Sequence, residues 1–491
     1  MDRGGMRGGT SRLRISHGLY EGPGSHGVLR VAASVEGAHA VLRAYPEEGY
    51  FAALHGGRTR SGDPAPVTMS LVRDEVGGSR EGDVRRDLLA AARGNPEAEA
   101  IVYARSEAAL LSGEGVLEIG LPESPATGRP PALVTCPWET PLLGEIEAAD
   151  LALAELVKAH AKAPRGRSPA PSVNVFGPPL LGANPEAEAR EMERLMGLLG
   201  VEVNARVPLG ASVGELARLP RAWANVVLYR EVGDEATLFL QDEFGMPRVT
   251  TPALGSAGTG SILRAVGELC SLDPQRVQRA VWAELARTAK LPWYARLAVP
   301  ETFRGRRVAL FGDFTYPLGL GYTLAREVGL EVAWAGTYLV HLEKDFLFHA
   351  GTFTDDAFVA DDPDAVAARV EEAAPDLLVG THLEAEVAES LGIPFLPLCP
   401  PVAERPFVER PLMGYAGSSV LADALEAALR EPPPAQPPPK ARGPGWTEEA
   451  LEELEEVPAF LRGRARRLAE ERARAVGSRE VTPEILEESR L

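Results

Sequence analysis

Only three cysteines, Cys136, Cys270 and Cys399, occur in 491 residues, and no two stand in a CxxC spacing. That scarcity excludes a disulfide framework and a self-contained zinc or iron-sulfur site. Any four-cysteine metal site would need ligands from another chain. The eight histidines are dispersed and form no HExxH pair, so a catalytic zinc is not expected. No apolar run reaches the ~18 residues that a bilayer span requires. The basic start MDRGGMRGGTSRLRISHG lacks the apolar centre of a secretory signal, so a cytoplasmic chain without a membrane span is expected. No GxSxG nucleophile signature is present. The net charge of -19 argues against nucleic acid or an anionic membrane as partner and leaves proteins and small molecules.

What the chain does contain is alternation. From Ser172 onward, short apolar strands (VNVFG, VEVNARV, NVVLY, RVTTPAL) alternate with helical segments. The pattern resumes at Arg307 with VALFGD, EVAWAGTY, DLLVG and PFLPL. Such alternation predicts parallel sheets covered by helices, with ligands outside the carboxyl ends of the strands. Ahead of these, Ala38 to Leu42, Val67 to Val72, Glu99 to Tyr103 and Ala132 to Thr135 read as further strands. Gly27 to Val35 and Glu145 to Ala161 have helical spacing, and residues 56 to 95 read as polar apart from VTMSLV. Subdomain breaks fall near 165, at KAPRGRSPAPS, and near 300. Residues 1–12 read as a disordered extension, 431–444 (EPPPAQPPPKARGP) as an extended spacer, and 445–491 as a small helical module. In that module Thr482 and Pro483 supply an N-cap and a first helical position.

Several positions invite chemistry. In RAYPEEGYF, Arg43 to Phe51, Pro46 and Gly49 bound a tight turn presenting Glu47 and Glu48, which are either solvated or used. The glycine-rich GSAGTGS at Gly255 to Ser261 lacks the Lys-Ser/Thr of a nucleotide loop; its free amides would instead suit a carboxylate. Asp313, ending the strand at FGD, is a helix cap or a crevice acid. The loops at Gly177 to Ala183, Gly255 to Ser261, Gly312 to Thr315 and Gly336 to His341 are expected to face a shared crevice, and His341 and His382 follow strand ends. Met413, in RPLMGYAG, suits packing or a flat apolar ligand.

Taken in order, YEGPGSHGVLRVA (Tyr20 to Ala32), PVTMS (Pro66 to Ser70), GEIEAAD (Gly144 to Asp150), SVNVFGPPLLG (Ser172 to Gly182), GVEVNARVPLGAS (Gly200 to Ser212), VAWAGTY, GTHLEAEV, RPLMGYAG and the tail from Trp446 resemble one family. It is the B-type component of the light-independent protochlorophyllide reductases, which are nitrogenase-like. The resemblance implies an α/β chain with three doubly wound, Rossmann-like parallel-sheet subdomains plus a small C-terminal helical module. It implies a heterotetramer with an N-type subunit, and an L-type ATP-dependent iron-sulfur reductase that hydrolyses ATP separately. It further implies a [4Fe-4S] cluster held by three partner cysteines and one carboxylate of this chain. The substrate implied is a magnesium tetrapyrrole reduced at ring D. Alternatives are a nitrogenase-like paralogue acting on another tetrapyrrole, or a non-catalytic tetrapyrrole-binding protein.

Carried over residue by residue, the family's cluster-ligand aspartate falls on Glu48. The extra methylene requires the cluster to sit about 1 Å further away, or Glu48 to fold back. The family's proton-donating aspartate falls near Val299, which cannot donate; Glu301, two positions on, is the candidate catalytic acid. The family's cysteine loop after Ile101 to Tyr103 reads ARSEAA here. Met413, His382, Gly336 and Tyr338 are the candidate substrate-binding residues.

Overall fold

The computed structural model describes residues 20–48, 66–72, 80–111, 119–164, 166–177, 185–289, 303, 305–401, 410–430, 445–456, scattered positions from 466 to 478, and 480–488. The extension at 1–12, the candidate acid Glu301 with Val299, and the spacer at 431–444 lie outside these residues, as does the side chain of Glu47. Two compact units are present: Met1–Ala388 with Ile393–Glu431, and Glu389–Gly392 with Pro432–Leu491.

The described residues of the first unit form three all-parallel sheets. Strands β1 (Ala38–Ala44), β2 (Val67–Leu71), β3 (Ala100–Arg105) and β4 (Ala132–Thr135) lie in the order β2-β1-β3-β4. Strands β5 (Ser172–Phe176), β6 (Glu202–Val207), β7 (Ala224–Val227) and β8 (Arg248–Val249) lie in the order β6-β5-β7-β8. Strands β9 (Arg307–Gly312), β10 (Glu331–Thr337), β11 (Ala357–Val359), β12 (Leu377–Val379) and β13 (Phe395–Leu396) lie in the order β11-β10-β9-β12-β13. The expected α/β architecture of doubly wound parallel sheets is therefore present.

Each sheet reverses its strand order at its first strand, which places a switch point at the carboxyl end of β1, of β5 and of β9. Ligands of open α/β sheets bind at such points. The carboxyl end of β1 carries the Glu48 turn, that of β5 carries Gly177, and that of β9 carries Asp313.

Central strands are mostly apolar because helices cover both faces, with His39, Arg43 and Asn174 among the buried polar exceptions. Val41, Leu42, Ile101 and Val102 are buried, and each such aliphatic side chain contributes roughly 1.5–3 kcal/mol of burial free energy. Helix α1 (Gly24–Ser34) crosses α4 (Glu145–His160), and the contact depends on Gly27. A Cβ there would stand 2.0 Å from the Glu145 carbonyl oxygen.

Several helices were not legible as such. The polar stretch after β2 folds into α2 (Arg80–Gly94), which turns Val84, Leu88 and Ala91 into the first sheet's core. Its apolar stripe is only one residue wide per turn, too narrow to dominate the composition around it. Helix α8 (Pro274–Ala289) packs on α7 (Gly255–Leu269); the remaining helices used below are α3 (Glu107–Leu111), α5 (Pro185–Leu199), α6 (Asp234–Phe244), α9 (Thr315–Thr323) and α10 (Gly414–Arg430).

In the second unit a parallel pair, β14 (Gly445–Trp446) with β15 (Glu480–Val481), joins helices at Glu448–Glu456 and Pro483–Glu488. Leu454, Ala469, Ala473, Val481 and Leu486 form its core, and the last helix starts at Pro483 as its sequence predicts. No described helix is long and apolar enough to cross a membrane.

Candidate functional site

At the switch point of the first sheet, β1 runs into a single 3-10 turn, Pro46–Glu48, closed by the Glu48 amide donating to the Tyr45 carbonyl over 3.1 Å. The half-buried Glu48 side chain folds back over its own turn: Oε2 accepts the Tyr45 amide at 2.7 Å. The side chain is thus folded back rather than extended. The same oxygen accepts the Ser106 hydroxyl at 2.8 Å. Oε1 makes no hydrogen bond among the described residues.

Ser106 arrives there because β1 and β3 pair in register, Arg43 opposite Arg105, and its own amide donates to the Arg43 carbonyl over 2.9 Å. Its Oγ also accepts the Ala109 amide at 3.1 Å, so it is the N-cap of the short α3. Ser106 lies in the ARSEAA segment that departs from the family's cysteine loop; that departure was its only trace in the sequence.

Cys136 follows β4 on the same edge of the sheet. Burial and then the Glu155 carboxylate push its thiol up to about 12 in the chain by itself. Among the described residues no group of three His, Cys, Asp or Glu side chains could hold a metal ion. The local donor set is one oriented carboxylate oxygen, which fits one corner of an iron cluster whose other ligands come from elsewhere and does not fit a complete site.

The second and third sheets meet across a buried acid network. Tyr316 donates to Glu188 Oε1 over 2.5 Å, Asp313 Oδ1 accepts the Tyr316 amide at 3.0 Å, and Glu231 accepts the Thr315 amide at 3.1 Å and its hydroxyl at 2.5 Å. Asp313 thus caps the start of α9. Burial pushes Glu188 up to about 7. Burial and then the neighbouring Glu231 raise Asp313 well above the usual carboxylate range, and burial likewise raises Glu231. The amides of Ser256 and Ala257 at the start of α7 are taken by Glu327, at 3.0 and 2.8 Å. The carboxylate that the glycine-rich loop suits is therefore supplied from within the chain.

A cavity of about 370 Å³ lies between these parts, lined by Leu254, Ser261, Phe314, Tyr322, His349 and Phe353 among others. Of the four loops expected to share a crevice it brings together two, 255–261 and 312–315; no residue of 336–341 lines it, 178–183 lies outside the described residues, and its lining includes none of Met413, His382, Gly336 or Tyr338.

Those four lie as follows. Met413 is fully buried and bridges Leu254. Gly336 lies in β10, where a Cβ would meet the rings of Phe311 and Phe358 at 2.7 and 2.8 Å. Tyr338 and His382 converge on one turn, Tyr338 donating to the Pro400 carbonyl at 3.3 Å and His382 Nδ1 lying 2.8 Å from the Pro401 carbonyl. Tyr338 is buried and stacked on Tyr20, ring centroids 5.2 Å apart, and Tyr20 donates to Glu384 over 2.7 Å. His382 is half-buried. Tyr20 and Glu384 have no local signal in the sequence, because 364 residues separate them.

The fold and the site together first define a class. Residues 142–430 match the Nitrogenase component 1 type Oxidoreductase family. The solved structure "Nitrogenase Cp1 at pH 6.5" has the same fold, with a TM-score of 0.66 at 14% identity over 85% of this chain and 94% of that one. Residues 446–490 match a second family, the Proto-chlorophyllide reductase 57 kD subunit. The B-type subunit of the light-independent protochlorophyllide reductase of Leptolyngbya boryana is 30% identical, with 96% of this chain and 98% of that protein covered. The corresponding protein of Trichormus variabilis is 28% identical at the same coverage. The chain belongs to the family of B-type subunits of light-independent protochlorophyllide reductases, within the nitrogenase component 1 type oxidoreductases.

Proposed function

We infer that the chain is the catalytic B-type subunit of a light-independent protochlorophyllide reductase, an oxidoreductase that reduces the ring D double bond of protochlorophyllide to give chlorophyllide. The observation that carries this reading is the match along nearly the whole chain, including the reductase-type module at 446–490 that follows the nitrogenase-like part. Residues 13–430 are read as that nitrogenase-like part and 431–444 as the spacer.

In this reading Glu48 would hold one iron of a [4Fe-4S] cluster, and three cysteines of an N-type partner would hold the rest. When bound, the cluster supplies single electrons to the pigment, received from a separate L-type iron-sulfur protein that hydrolyses ATP. Tyr45 and Ser106 hold the Glu48 carboxylate through Oε2. Glu301 is proposed to deliver a proton to the reduced ring. Met413, His382, Gly336 and Tyr338 are proposed as the substrate-binding residues; His382 is half-buried, whereas Met413, Gly336 and Tyr338 are buried in the chain by itself. The assembly is proposed to be a cytoplasmic heterotetramer.

The test is co-purification with N-type and L-type partners under anoxia, followed by iron analysis and conversion of protochlorophyllide with dithionite and ATP. A complex that binds pigment without iron and without turnover overturns the reading in favour of a pigment-binding protein.

A further inference from the structure

We propose that Ser106 is a positioning residue for the metal-binding carboxylate: its hydroxyl holds Glu48 Oε2 so that Oε1 alone is presented to iron, and it weakens Glu48 as a donor. This rests on the assignment of Glu48 as an iron ligand. The geometry is specific. Oε2 accepts two hydrogen bonds, from the Tyr45 amide at 2.7 Å and the Ser106 hydroxyl at 2.8 Å, while Oε1 accepts none among the described residues. The serine is itself immobilised from both sides, its amide bound to the Arg43 carbonyl at 2.9 Å and its Oγ accepting the Ala109 amide at 3.1 Å. With its one proton committed to Glu48, Oγ cannot rotate away without losing that bond.

Two consequences follow from elementary electrostatics. A carboxylate whose second oxygen is occupied by donors binds metal through one oxygen rather than two. Hydrogen bonds also draw charge out of the carboxylate, and ligand hydrogen bonding is one of the levers that set iron-sulfur potentials. Withdrawing charge from Glu48 favours the reduced cluster and raises its potential. A serine at this position thus tunes the electron acceptor as well as orienting its ligand.

The experiment uses the anoxically purified complex with the N-type partner, read by iron content and by an EPR-monitored redox titration of the cluster. Ser106→Ala is expected to retain iron but shift the midpoint to more negative potential with an altered EPR spectrum, and Ser106→Thr to restore both. Should the alanine variant fail to assemble, Ser106→Gly is read instead, because glycine serves nearly as well as a helix N-cap but cannot donate. An unchanged or more positive midpoint, or a shift that Ser106→Thr does not reverse, overturns the proposal. A wild-type complex devoid of iron overturns instead the underlying assignment of Glu48.

Discussion

The Ser106 hydroxyl donates to Glu48 Oε2 over 2.8 Å, although 58 residues separate the two in the chain. The pairing of β1 with β3 brings these loops together, and the switch point of the first sheet falls where they meet.

Glu48→Ala is expected to strip iron from the anoxically purified complex while the subunits still co-purify. The turn keeps its backbone closure from the Glu48 amide to the Tyr45 carbonyl, which the substitution does not touch. Iron content equal to the wild type would remove Glu48 from the site.

The pH dependence of stability has a definite sign. Burial raises Glu188 from 4.5 to about 7 in the folded chain, so folding favours its protonated form. Its stabilising contribution is fully present below 4.5 and is lost as pH rises through about 7, a swing of about 3 kcal/mol by linkage. Glu188→Gln keeps an acceptor for Tyr316 and cannot ionise. Urea midpoints measured from pH 5 to pH 8 should therefore fall less steeply for the variant than for the wild type. Equal slopes would show that Glu188 does not titrate in this window.

Gly336→Ala is expected to destabilise the chain by about 1–3 kcal/mol through overpacking. The added methyl group would stand 2.7 Å from Phe311 and 2.8 Å from Phe358, both ring atoms of a packed core. Chemical denaturation gives the answer directly; a variant as stable as the wild type would show that these rings can give way.

His382→Ala is expected to raise the KM for pigment several-fold, with cluster content unchanged. The imidazole is half-buried and tied to the Pro401 carbonyl through Nδ1, so its other nitrogen is oriented. An unaltered KM with full iron occupancy would exclude His382 from the pigment site.

Much of the fold was legible because parallel α/β structure is written locally: buried strands such as VNVFG and VALFGD are short and apolar, and their covering helices carry wide apolar stripes. Helix α2 escaped because its stripe of Val84, Leu88 and Ala91 is narrow within a polar stretch. Part of the site was legible in the same way, since Pro46 marks the turn that carries Glu48.

What a local pattern cannot contain is a partner from another strand. The sequence by itself determined the alternation of strands and helices, the shortage of cysteine, and the carboxylate turn. Only the tertiary structure decided that Glu48 folds back, that Ser106 holds it, and that Glu327 occupies the start of α7. Hydrogen bonds of this kind depend on distances of about 3 Å, and sheet pairing sets those distances between residues that the chain keeps far apart.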